Sequence, residues 1–311
     1  MWFLIGIVVA LAVTFIALQI AIARDGPAVL SNVDRITGGS QGAELLERAR
    51  YGEDPAQKLR VWRKTGTHSP MPMMIFVHGG SWSWGDPDSY DFIGRNFAAQ
   101  DFVTVVAGYR LYPDVRYPAM LEDSAAAVRW ARENAARLGG DHDRIWLMGH
   151  SAGAYNVVGI ALDPRWLEAE GVPEHALAGV IGISGPYDFY PFNSESTRNS
   201  FGEWPDPEAT QPISYARGDA APLLLLTGYA DTTVKPRNSK ALARAIETKG
   251  GAVELEIYSD MEHSDPLIAL ANPWRDRREV MARILAFTGK YAQHTQSEAA
   301  NPSLAVQADS R

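Results

Sequence analysis

Short apolar runs recur along the chain, and each closes on Gly, Ser or Asp. Met73–Val77 runs into His78-Gly79-Gly80, Phe102–Ala107 into Gly108-Tyr109-Arg110, and Ile145–Met148 into Gly149-His150-Ser151. Ala178–Ile183 then leads to Ser184-Gly185, Pro222–Leu226 to Thr227-Gly228, and Val253–Tyr258 to Ser259-Asp260. Runs of this length bounded by turn residues predict buried parallel strands. Leu59–Val61 begins an edge strand ahead of them. Between the runs the spacing becomes helical. Pro118–Leu138 starts at a proline and puts Met120, Ala127, Trp130 and Ala131 on one face. Ala154–Leu162, Asn238–Lys249 and Asp276–Tyr291 read as further helices, and Gly250-Gly251 stops the second of these. Strands alternating with helices imply an α/β fold with a mostly parallel central sheet flanked by helices.

The pattern breaks at both ends and once in the middle. From Trp2 to Ala23 no charge occurs, and a helix of roughly 20 apolar residues spans a bilayer core. The run is longer than the apolar core of a secretory signal, and no Lys or Arg precedes it. Residues 1–23 therefore read as a membrane anchor. A signal peptide cut after Ala21-Ile22-Ala23 is the alternative, which would make the protein exported or periplasmic. Arg24 and Arg35 follow the segment, and by the positive-inside rule they lean toward a cytoplasmic catalytic domain. Residues 24–56 read as a tether with a short helix around Ala43–Arg50, and residues 57–291 as the catalytic domain. The connection across about 186–220 is long for a compact domain and reads as an insertion over the site. The polar stretch 292–311 reads as a disordered tail.

Composition narrows the chemistry. With 46% apolar and 21% charged residues, the chain can bury a substantial core. A net charge of −8 with scattered Lys and Arg argues against nucleic acid as a partner. Cysteine is absent, which removes disulfides, thiolate catalysis and cysteine-ligated metals together. No H-x-x-x-H or similar metal-ligand spacing is present.

Gly149-His150-Ser151-Ala152-Gly153 carries the strongest signal, because it follows a predicted strand and opens a predicted helix. In that context G-x-S-x-G is a sharp strand-to-helix turn that presents the serine hydroxyl above the sheet. Ser151 is the candidate nucleophile. The second signal is His78-Gly79-Gly80-Ser81-Trp82, a glycine turn after a strand. Its N–H groups suit an oxyanion hole, and Gly79, Gly80 and Ala152 are the candidate donors. Of seven histidines only His263 follows the last predicted strand, where the order Ser, acid, His requires the base. Asp231, after the preceding strand, is the candidate acid. Asp188 competes from one strand earlier, and Asp260 lies too close in sequence to His263. Trp82 adjoins the glycine turn and is the candidate substrate-binding residue. Trp84, Tyr187, Phe189 and Trp204 are further aromatic residues that line the pocket or simply fill the core.

With these motifs in place, the chain resembles the α/β-hydrolase esterases of the hormone-sensitive-lipase-like group, especially the branch of small bacterial carboxylesterases and kynurenine-formamidase-like enzymes. The resemblance runs from about Tyr51 to Tyr291 through HGGSW at 78–82, GYRLYPD at 108–114, GHSAG at 149–153, SGPYD at 184–188 and GYADTTV at 228–234. It implies the α/β-hydrolase fold, the same Ser151–Asp231–His263 triad, and cofactor-free hydrolysis of a small-molecule carboxylic ester with a short to medium acyl group. Gly85-Asp86-Pro87 departs from the Gly-Asp-Lys common in such proteins, with proline in the place of the lysine. An amide or formamide substrate is the alternative, since the pocket and not the triad selects the acyl group. A non-catalytic binding protein on the same fold would lack a triad member, and none is missing. The sequence is silent on oligomeric state.

Overall fold

The computed structural model describes residues 2–39, 41–67, 69–276 and 278–300. Eight strands form one sheet: β1 (Ala43–Arg50), β2 (Lys58–Lys64), β3 (Met71–Val77), β4 (Val103–Ala107), β5 (Gly140–His150), β6 (Leu177–Ile183), β7 (Leu223–Gly228) and β8 (Val253–Tyr258). Their order across the sheet is β1-β2-β4-β3-β5-β6-β7-β8. Both neighbours of β2 run antiparallel to it, and every pairing from β4 to β8 is parallel. The fully apolar runs occupy the middle. β4, β6 and β7 are buried at every position, as strands covered on both faces must be.

Nine helices surround the sheet among the described residues: α1 (Trp2–Asp34), α2 (Asp91–Ala98), α3 (Ala119–Leu138), α4 (Ala152–Leu162), α5 (Arg165–Ala169), α6 (Glu195–Phe201), α7 (Arg237–Thr248), α8 (Asp265–Ile268) and α9 (Val280–Ala300). Each sheet face has its own apolar layer. On one, Ile75, Leu147 and Leu225 meet Val128 of α3, Val157 of α4 and Leu242 of α7. On the other, Phe76, Met148 and Leu226 meet Phe97 of α2 and Phe287 of α9.

Three expectations are corrected. Ala43–Arg50 is a strand, although its Glu, Leu, Arg and Ala residues favour helix. The open edge of β2 supplies a ladder for it, and Glu44–Arg63 and Glu47–Arg137 ion pairs flank the pairing. Long-range pairing thus outweighs local propensity. Residues 24–56 are not a tether. α1 bends at Asp25 (φ −155°, ψ 78°) and continues against the body to Asp34. There the buried Asp34 carboxylate accepts hydrogen bonds from Arg95 (2.7 Å), Asn96 (2.8 Å) and the Asn272 amide (3.0 Å). The polar stretch expected to be disordered from 292 instead continues α9 as far as Ala300. Its remainder, 301–311, lies outside the described residues.

The bend in α1 has a local cause. Asp25 Oδ1 accepts the Ala28 amide at 2.9 Å, the N-cap hydrogen bond of the second half of the helix. Pro27 falls in that half's first turn, where its missing N–H costs no helical bond. Asp25 Oδ2 accepts the Ser89 hydroxyl at 2.6 Å, which fastens the bend to the segment before α2.

Candidate active site

The three candidate triad residues come from loops at the carboxyl ends of three parallel strands, β5, β7 and β8. Ser151 stands between β5 and α4 with φ 54° and ψ −118°, a backbone conformation that a non-glycine residue adopts only when its surroundings enforce it. The flanking glycines provide that enforcement. A Cβ on Gly149 would stand 2.3 Å from the Gly153 carbonyl oxygen, and one on Gly153 would stand 2.1 Å from that of Val77. Ser151 N–H donates to Ile183 O at 2.8 Å, tying the turn to β6.

His263 follows β8 and Asp231 follows β7. The Asp231 side chain is wholly buried. Its Oδ1 accepts the amides of Thr233 (2.9 Å) and Val234 (2.8 Å), and its Oδ2 lies 2.7 Å from His263 Nδ1. With Nδ1–H donated to that carboxylate, Nε2 is left as the acceptor, and it lies 2.9 Å from Ser151 Oγ. The two loops are also joined through their backbones, Tyr229 N–H to Tyr258 O (2.8 Å) and Ala230 N–H to Met261 O (3.1 Å). The other two acids lie elsewhere in the hydrogen-bond pattern. Asp188 N–H is bound by Asn238, and the exposed Asp260 approaches Arg278 at 3.9 Å.

His150, inside the elbow motif, is a residue that the sequence reading did not single out. Its ring nitrogen Nε2 lies 3.2 Å from the His263 carbonyl oxygen, with the two rings 5.1 Å apart. Burial, and then the nearby His263, push its pKa down to about 3. It is therefore a neutral imidazole, and as the Nε2–H tautomer it donates to the loop that carries His263. Its position inside the elbow motif was the available signal. His78 is likewise driven down to about 4 by burial, and it stacks between Tyr90 and Tyr109.

The glycine turn lies beside the serine. Gly80 has φ +123°, and a Cβ there would collide with the Trp84 carbonyl at 1.8 Å. Gly80 and Ser81 line cavities shared with Ser151, and Ala152 lines one of them. Gly79 lines neither, and its backbone is hydrogen-bonded to the Tyr90 phenol. In this turn Gly80 and Ser81, rather than Gly79, face the cavities beside Ser151. Trp82 combines both roles weighed for it. It lines the smaller cavity, yet it is almost fully buried, donates Nε1–H to Asn156 at 3.2 Å and meets Phe201 edge-on at 4.7 Å. Phe189 lines the same cavity and Trp84 the larger one, whereas Tyr187 is core and Trp204 packs on Tyr117. Where a lysine was expected after Gly85-Asp86, Lys58 from β2 reaches the Asp86 carboxylate at 2.7 Å.

The BD-FAE family model matches residues 59–246, a stretch that includes the glycine turn, the serine elbow and Asp231. The chain belongs to the BD-FAE family. Among curated relatives of this BD-FAE member, esterase LipC of Mycobacterium tuberculosis is 30% identical over 220 residues, covering 64% of this chain and 54% of that protein. Isoprenylcysteine alpha-carbonyl methylesterase ICME of Arabidopsis thaliana is 25% identical over 250 residues, covering 74% and 58%. The chain thus spans about half the length of the curated relatives it matches. Esterase B from Lactobacillus rhamnosis superposes with a TM-score of 0.74 at 20% identity, covering 94% of this chain and 99% of that one. A truncated carbohydrate esterase from gut microbiota gives 0.71 at 17% identity, covering 82% and 98%. At those identities the likeness establishes a common fold.

Proposed function

We propose that this protein is a serine carboxylesterase in which Ser151 is the nucleophile, His263 the base and Asp231 the acid. The observation that carries the reading is the unbroken line of hydrogen bonds from a buried carboxylate through an imidazole to a strained serine. In the first half-reaction His263 Nε2 takes the Ser151 proton as Oγ attacks the ester carbonyl. The tetrahedral oxyanion is held by the backbone N–H groups of Gly80, Ser81 and Ala152, the last at the N-terminus of α4. The imidazolium, stabilised by Asp231, returns the proton to the departing alkoxide and leaves an acyl-serine. Water then gives its proton to the same nitrogen and attacks the acyl carbon, releasing the acid and Ser151. Trp82 shapes the smaller of the two arms of the site. The names of the curated relatives support an ester over an amide as the bond cleaved.

A helix over Leu11–Gly39 is long and apolar enough to cross a membrane, and we assign the charge-free part of α1 ahead of Arg24 as an uncleaved anchor. Support comes from the second half of the helix, which is built into the body through Asp25 and Asp34. Cleavage after Ala23 would also strip Leu18 and Ile22 from the wall of the larger cavity. The catalytic reading is tested with 4-nitrophenyl butanoate and the full chain. Ser151→Ala should lower kcat by roughly 10⁴-fold or more, and a variant as active as the wild type would refute the assignment of the nucleophile.

A further inference from the structure

Two cavities meet at Ser151, and their walls differ in chemistry. The smaller, about 320 Å³, sets Asn193, Thr197, Lys235 and Arg237 beside Trp82 and Phe189, and its volume suits a short arm. The larger, about 650 Å³, has Ser151 and His263 at one end, and its other wall is α1 itself, through Leu18, Ile22, Leu30 and Val33. A volume in that range is that of a ligand site, far more than packing slack between a helix and a domain. Leu18 and Ile22 precede the Arg24-Asp25 pair, so they lie on the apolar stretch of the helix, and each is 45% exposed. At 1.5 Å per residue, Leu18 sits about 9 Å along the axis from Arg24. One apolar path therefore runs from the part of α1 that hydrocarbon would surround to the serine hydroxyl. An alkyl chain moving along it exchanges lipid for protein carbon without crossing water, and so meets no desolvation barrier.

We infer that the substrate class is a bilayer-dissolved ester with one long aliphatic arm, which enters laterally along α1 and lies in the α1-walled cavity. The short arm then points toward Lys235 and Arg237. This inference rests on the serine-esterase reading above. α1 is thus a specificity-determining element as well as an anchor, because it forms one side of the subsite that holds the chain.

The test uses the full chain with 4-nitrophenyl hexadecanoate and butanoate in phosphatidylcholine vesicles, and reads the ratio of kcat/KM for the long ester to that for the short. The wild type should favour the long ester. Ile22→Trp and Leu18→Trp, at positions exposed enough to accept a larger side chain, should lower that ratio by about ten-fold or more by filling the cavity. Leu11→Trp should leave it unchanged, because Leu11 is on the same helix but lines neither cavity. A preference for butanoate in the wild type, or an unaltered ratio in both cavity variants, would overturn the inference while leaving the esterase reading intact. A wild type no more active than Ser151→Ala on either ester would instead defeat the esterase reading, and the inference with it.

Discussion

At the scale of single residues, the site depends on groups kept in one protonation state by their surroundings. Asp231 fixes the His263 tautomer from a fully buried position with two backbone N–H donors on its other oxygen. Asp231→Asn would present an amide that cannot accept Nδ1–H in the same way, and kcat on 4-nitrophenyl butanoate should fall by roughly 10⁴-fold while the circular dichroism spectrum is retained. His150 and His78 make a different prediction. Both are neutral in the folded protein, with pKa values near 3 and near 4, whereas an unfolded histidine protonates near 6.5. Between those values only the unfolded chain binds the proton, so their stabilising effect is complete above about pH 6.5 and is lost as pH falls toward 4 and then 3. Each contributes up to about 1.4 kcal/mol per pH unit in that window. Urea midpoints measured near pH 7.5 and near pH 5 should therefore differ less in His150→Gln than in the wild type.

At the scale of elements, what the sequence predicts well is what local pattern alone determines. The apolar runs that became β4, β6 and β7 are buried on both faces, so their hydrophobicity is continuous and their ends are marked by turn residues. Ser151, Asp231 and His263 could be singled out because G-x-S-x-G, a strand-end Asp and a strand-end His follow chain order, and the fold brings the three within hydrogen-bond distance. The elements missed are those decided by distant partners. Ala43–Arg50 has the composition of a helix and forms a strand only because β2 offers it an edge, 8 residues downstream at the Arg50↔Lys58 end and 21 at the Ala43↔Lys64 end. The role of the segment around Asp34 depends on Arg95 and Asn96, more than 60 positions away, and no short window contains that pairing. Its importance can be measured. Asp34→Ala would leave the Arg95 guanidinium buried without its carboxylate, and the loss should be about 3–5 kcal/mol in chemical denaturation of the detergent-solubilised chain. A loss below about 1 kcal/mol would mean that the second half of α1 is only loosely joined to the body.

At the scale of the whole molecule, the sheet, the loops after β5, β7 and β8 and the two halves of α1 place Ser151, the proposed nucleophile, beside one long apolar helix. The anchor assignment predicts that the full chain stays in the membrane pellet after alkaline carbonate extraction, and recovery in the supernatant would contradict it. The bend at Asp25 holds the helix to the body through Ser89 and fixes the height of the active site above the point where the apolar stretch begins. For an esterase anchored at that height as proposed, the concentration that matters is two-dimensional. Its turnover should follow the mole fraction of ester among the lipids of its membrane, so that inert lipid slows it by dilution within the plane, while added water volume leaves it unchanged.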